Sequence, residues 1–249
     1  SDSVSEEEEL SRVISVIQKL REKTDTVISI DTTKSSVADN ACNVGANIVN
    51  DISALSFDNN MIDVINKHDC SVILMHIAGN PKIMQENPSY DNIISDIANH
   101  LLDRANFALK NGVKKHNIIL DPGIGFGKTI DNNFTIIDNM DKFINLGYPV
   151  LIGASRKSFI GKTLDVDENN RIEGTIASNV VALERGCKIF RVHDIKETKR
   201  ALTIANKIFN SNIIDREDQK YLFDWMKKIN IYKGNLKDSD ICFIEKKLN

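Results

Sequence analysis

PVLIGASRKSFIG, residues 149–161, is the stretch from which the fold can be read. Val150-Leu151-Ile152 is a short, wholly apolar run, the pattern of a strand buried on both faces. At Gly153 the chain loses its side chain, and Ser155, Arg156, Lys157 and Ser158 follow at once. Glycine lets a flat ligand approach the backbone. Lysine supplies a point charge and the hydroxyls supply hydrogen bonds. A helix starting after the turn adds free N–H groups and the positive end of its dipole. The stretch therefore reads as strand, tight turn, anion-binding cluster and helix. The competing reading is a surface loop with two chance charges, and the remaining chain decides between them.

The same pattern recurs. Apolar runs at 27–30, 46–49, 71–75, 117–120, 150–152 and 188–192 alternate with helical patterns at 5–22, 35–43, 59–67, 91–110, 132–145, 171–184 and 195–209. In the first helix Leu10, Val13, Ile14, Ile17 and Leu20 keep helical spacing, and Ser5 with Glu8 forms a capping-box pattern. A long loop, 77–90, follows the third run. Such alternation implies a parallel sheet covered by helices. Each run ends in a polar residue: Asp31, Asn50, His76, Asp121, Lys157 and His193. In an open doubly wound sheet, ligand contacts concentrate at the switch point, whereas a barrel brings all strand ends into one ring. Six converging ends favour the α/β class and a TIM (β/α)8 barrel, of which six βα units are legible.

Composition narrows the function. With 249 residues and 41% apolar content the chain has enough material for a sizeable core, and its net charge is −3. No Lys/Arg run marks a nucleic-acid or lipid surface, and no apolar run reaches bilayer length. Cys42, Cys70, Cys187 and Cys242 lie far apart and form no CxxC, which suits a reducing cytoplasm. The barrel is expected over 1–210. The extension 211–249 holds a helical piece at 219–228 and strand-like runs at 229–232 and 241–244, too weak to stand in for barrel strands.

Asp31, Asn50 and Asp121 place two carboxylates and an amide on three strand ends. Such groups bracket a flat heterocycle with several N–H donors and ring acceptors. Alone, each also reads as a helix N-cap; together with Lys157 the ligand reading prevails. The loop DPGIGFGK matches neither GxxxxGK[ST] nor GxGxxG in the required context, so its glycines are read as aiming Phe126 and Lys128 at a pocket. Arg191 alternates with Phe190 and Val192 and so points the other way. An inward arginine in a barrel needs an anion or a ring to stack on. His76 and His193 stand at strand ends, whereas His68, His100 and His116 have no assigned role.

ISIDTT, IVNDISA, MHIAGNPKIMQ, ILDPGIGFGK, LIGASRKSFIG and RVHD, in this order, strongly resemble dihydropteroate synthase from about Val4 to Asn210. The resemblance implies a (β/α)8 barrel that joins 6-hydroxymethyl-7,8-dihydropterin diphosphate to p-aminobenzoate, giving 7,8-dihydropteroate and diphosphate. It implies that Asp31, Asn50, Asp121 and Lys157 bind the pterin, that Met75 and Gly153 line its slot, and that Arg191 stacks on it. Ser158, with Phe126 nearby, would contact p-aminobenzoate, where sulfonamides compete in this family. Arg191, His193 and the helix start after Ser158 would hold the diphosphate, and Arg156 would support the loop through a neighbouring carboxylate. Lys157, Asp121, Arg191 and His193 are the expected catalytic set. A homodimer through barrel helices is also implied.

The chain departs from the family pattern at its start. The family's first two strands, with their Asn-x-Thr-Pro-Asp-Ser-Phe-Ser and Glu-Ser-Thr-Arg-Pro-Gly loops, have no counterpart here. Those loops carry the Asn associated with Mg2+, so the resemblance implies Mg2+ as cofactor with no metal ligand inside this chain. The expectation is an incomplete barrel that does not turn over alone. Two other readings compete: a pterin-binding methyltransferase domain and a non-catalytic pterin-barrel subunit. Lys157, Ser158, Arg191 and His193 tell against the first, because a methyltransferase of this barrel lacks that anion-binding set.

Overall fold

Parallel strands alternate with helices through the chain, as the periodicities require. A computed structural model describes residues 4–79, 88–210 and 242–245, the last as backbone alone. The order is α1 (Glu6–Arg21), β1 (Ser29–Asp31), α2 (Ser35–Asn43), β2 (Ile48–Asp51), α3 (Met61–His68), β3 (Ser71–Met75), α4 (Ile93–Lys110) and β4 (Ile118–Asp121). Then follow α5 (Ile130–Asp138), α6 (Met140–Ile144), β5 (Leu151–Ile152), α7 (Ser158–Leu164), α8 (Ile172–Glu184), β6 (Ile189–Val192), α9 (Ile195–Asn210) and β7 (Cys242–Glu245). Ser5 caps α1 through Oγ, which accepts the Glu8 N–H at 3.2 Å. Among the described residues no helix is long and apolar enough to cross a membrane.

Strands β1 to β4 pair in sequence order, all parallel, and so do β5 to β7. A single parallel bridge, Leu120 to Val150, joins the two groups. Among the described residues β7 and β1 do not pair, so the barrel is not closed. The ends nevertheless curve toward one another, because Arg191 of β6 reaches Asp31 of β1 in an ion pair.

Side chains alternate along each strand. Ile30, Val49, Val72, Leu74, Ile118, Leu120, Ile152, Phe190 and Val192 join one apolar cluster with helix residues such as Ala38, Leu101 and Leu202. The alternate positions therefore face the barrel interior. They give a floor of Ile48, Ile73, Ile119, Leu151 and Ile189, each at most 2% exposed. Above that floor the same face carries Asp31, Asn50, Met75, Asp121, Gly153 and Arg191. The period of two thus puts every strand-end site residue on one side, over an apolar base.

Two sequence expectations change. The helix read over 132–145 begins earlier and is broken. Thr129 accepts the Asn132 N–H at 3.1 Å and starts α5, and Asn139 (φ −107°, ψ 29°) leaves helical geometry before α6. The run at 241–244, read as strand-like but too weak to stand in for a barrel strand, contributes β7 (Cys242–Glu245). It pairs with β6 from Ile189–Cys242 to Val192–Glu245. An open strand edge presents unpaired backbone donors and acceptors, which a modest strand can satisfy. The readings at 219–228 and 229–232 lie outside the described residues.

The turn from β5 into α7 is held from outside. Arg156 adopts a left-handed φ of 55°, a costly conformation for a non-glycine residue. Its N–H meets Thr175 Oγ1 at 3.1 Å, its carbonyl accepts from Arg171 at 2.8 Å, and its guanidinium grips Asp194 through two bonds of 3.0 and 2.6 Å. Arg156 holds the Asp194 carboxyl below its usual 3.8. Because the folded pKa is depressed, the stabilisation is complete above the unfolded value and is lost as pH falls through the folded one. Asp194→Asn should therefore lower unfolding stability by about 1–3 kcal/mol near neutral pH. Urea unfolding should show that gap closing in acid below about pH 4; a gap that persists there would contradict the pairing.

Candidate active site

The strand ends form a polar rim over the apolar floor. Asp31 and Asn50 are register neighbours on β1 and β2, and Asn50 Nδ2 donates to Asp31 Oδ1 at 2.7 Å. The other Asp31 oxygen pairs with Arg191. Asn50 is 5% exposed, and its Oδ1 is buried with no hydrogen-bond partner among the described residues. An orphaned amide oxygen costs free energy unless a donor arrives. Met75, also buried, sits beside Asp121 in the β3–β4 register.

Asp121 is 6% exposed and accepts the Gly123 N–H at 2.7 Å. Burial pushes its carboxyl above the usual value. The Gly123 N–H and the charges of Lys157, Arg191 and Lys128 oppose that rise. A ligand offering N–H donors would relieve the same penalty. Gly153 leaves room for it: a Cβ built there meets nothing within 4 Å.

The end of β2 is fixed by a tight loop. Asp51 accepts from the Ser53 N–H, the Ser53 hydroxyl and the Leu55 N–H at 2.8, 2.7 and 2.9 Å. Ala54 and Leu55 take left-handed φ values of 51° and 65°, and Arg104 of α4 binds both carbonyls. This brace holds Asn50 in place. Neither Asp51 nor Arg104 was legible as a site residue, because their partners are backbone groups that folding alone brings near.

On the opposite side, Lys157 precedes α7 and lies 4.0 Å from the centroid of the half-buried Phe126 ring. Gly125 must lack a side chain, since its Cβ would meet Lys157 Cδ at 3.0 Å and its φ is 81°. Ser158 begins α7 at the edge of a groove of about 510 Å³. Thr129, Asn133, Lys128 and Phe159 are among its walls. His193 is set by Ser155, whose Oγ lies 2.9 Å from Nδ1 and accepts the His193 N–H at 3.1 Å. Ser155 is buried, so it supports His193 rather than presenting a free hydroxyl in the cluster as its sequence position suggested. Arg156 turns to Asp194 and away from the anion cluster.

His76 does not stand open at its strand end. It is buried, its ring is pushed down to about 3 mainly by burial, and Nδ1 meets Lys128 Nζ at 3.1 Å. Lys128 is itself 4% exposed, and burial lowers its ammonium to about 7. The part of the MHIAGNPKIMQ motif over 80–85 lies outside the described residues. Among the described residues no three His, Cys, Asp or Glu side chains group to hold a metal ion.

Comparison with known proteins agrees with this geometry. A family model described as pterin binding enzyme matches residues 1–193. The dihydropteroate synthase of Haemophilus influenzae is 42% identical over 211 residues, covering 85% of this chain and 76% of the relative. That of Bacillus subtilis is 40% identical over 210 residues, covering 84% and 71%. Among solved structures, the Yersinia pestis synthase in a sulfonamide drug complex superposes with a TM-score of 0.82 at 35% identity, covering 84% of this chain and 76% of the other. The Xanthomonas albilineans synthase with 4-aminobenzoic acid gives 0.80 at 33%, covering 86% and 76%. Strand order, the inward polar rim and these likenesses together place the chain in the pterin-binding enzymes, as a member of the dihydropteroate synthase family.

Proposed function

We propose that the rim over the barrel floor carries the reaction of this family as follows. Asp31, Asn50, Asp121 and Lys157 hold a dihydropterin diphosphate, and p-aminobenzoate enters along the groove beside Ser158. The observation that carries this reading is the buried Asn50 Oδ1, without a partner among the described residues, on the same inward face as the desolvated Asp121. Both need donors, and the edge of an amino-pyrimidine ring supplies several N–H groups in one plane. Met75 and the bare backbone at Gly153 form the walls of the flat slot.

The C–O bond between the pterin methylene and diphosphate breaks, and the electron pair leaves with the diphosphate. The aniline nitrogen gives its lone pair to the methylene carbon and then loses a proton. That nitrogen is unprotonated near neutrality, so no strong base is required. The chain must stabilise positive charge on the pterin and negative charge on the leaving group. Asp121 serves the first. Arg191, His193 and the N–H groups at the start of α7 serve the second, with Arg191 moving from Asp31 to the incoming anion. Phe126 and Ser158 position the acceptor, and the same pocket accepts sulfonamides. Magnesium belongs with the diphosphate in this reading, but no step here depends on it. A reducing cytoplasm suits the three described cysteines, all free thiols. A homodimer through α8 and α9 fits the exposed Val181, Ile204 and Ile208.

Gly153→Ala separates site from fold. The added methyl group meets no protein atom, so the melting temperature should hold while pterin affinity falls by about tenfold or more. Unchanged pterin binding would remove Gly153 from the slot. Lys157→Ala should weaken pterin binding about 10- to 100-fold, the worth of one charge-assisted hydrogen bond; calorimetric titration with a pterin checks it. Ile204→Glu should shift sedimentation from dimer to monomer, and an unchanged species would refute the assigned face.

A further inference from the structure

Lys128 is a buried lysine that forms no ion pair with a carboxylate among the described residues, although the Asp121 charge acts on it. Its ammonium lies 3.1 Å from His76 Nδ1, 2.9 Å from the Phe126 carbonyl and 3.5 Å from the His76 carbonyl. Burying such a group is costly unless each donor is used. The acceptors here come from two different loops. His76 follows β3, and Phe126 lies in the glycine loop after β4. The same two loops are pressed together elsewhere. A Cβ at Gly123 would fall 1.9 Å from the His76 carbonyl, and one at Gly127 would fall 2.6 Å from Ala78 Cβ. Tyr90 donates to the Gly127 carbonyl at 2.7 Å.

The third link runs to the site. Lys128 binds the carbonyl of the residue whose ring lies against Lys157, and Lys128 also lines the groove beside Ser158. We propose that Lys128, clamped by His76, is a positioning residue that sets the Phe126 ring between the pterin slot and the acceptor groove, and so governs capture of the aryl amine. His76 stays neutral in this arrangement, because only the neutral ring offers Nδ1 as an acceptor.

The inference rests on the p-aminobenzoate groove proposed above. Binding of p-aminobenzoate is measured by calorimetry on the full chain, loaded with 6-hydroxymethylpterin and inorganic diphosphate so that no turnover occurs. Lys128→Met keeps the chain length and removes the donors. It should weaken p-aminobenzoate about tenfold while pterin affinity changes less than about twofold. His76→Leu should act in the same direction, and His76→Asn, which restores an acceptor near Nδ1, should recover most of the loss. Phe126→Ala should weaken p-aminobenzoate too, and adding Lys128→Met to it should cost little more. Additive losses, or equal weakening of pterin and p-aminobenzoate, would overturn the role. If Lys128→Met does not fold, the His76 pair decides alone, with failure of Asn to rescue counting against the proposal. Failure of the groove itself looks different: Phe126→Ala and Ser158→Ala would then leave p-aminobenzoate binding untouched.

Discussion

Asp121 accepts the Gly123 N–H at 2.7 Å while almost wholly removed from water. Burial raises its proton affinity, and three cations at Lys157, Arg191 and Lys128 pull it down again. The surrounding architecture answers this one carboxylate. Pro122 and the glycine loop turn back to supply the N–H. The same loop carries Phe126 and Lys128, and Lys157 stands just before α7. Such a group is unstable in an ordinary core. At the barrel mouth, a ligand of the proposed kind would complete its hydrogen bonds.

The rim is internally paired in a way that suits exchange. Arg191 pairs with Asp31, and Asp31 also receives the Asn50 amide. Each of these contacts lies where the proposed pterin or anion would sit, so in that reading binding would replace one partner by another rather than order free side chains. Exchange of this kind limits the entropy lost on binding. The groups that do not exchange lie further back. Ser155 behind His193, Asp194 behind Arg156, and Asp51 with Arg104 behind Asn50 are all engaged with backbone or with a fixed partner.

Much of the fold was legible because strands buried on both faces leave long apolar runs, and each run ends in a polar residue. The opening stretch, 149–161, showed strand, turn and cluster in order, and Arg191 between Phe190 and Val192 showed its inward direction. That Asp31, Asn50 and Asp121 share one inward rim was readable for the same reason. The expected single helix at 132–145 was not borne out, because Asn139 interrupts it without any proline or glycine to signal the break. The weak run at 241–244 gave no hint that it would pair with β6, since sheet pairing depends on a distant edge and not on local propensity.

Residue order, periodicity and motif spacing were enough to determine the parallel α/β class, the inward set of polar strand ends and the family likeness. These follow from the period of a strand and the chemistry of its side chains, both local properties. Only the tertiary structure decided which polar groups line the rim and which are braces. Arg156 and Lys157 are neighbours in sequence, yet one bends to Asp194 and the other lies against Phe126. Ser155 and Ser158 divide in the same way. The difference arises because a left-handed residue at 156 reverses the chain between them, and its partners come from 15 to 38 positions away.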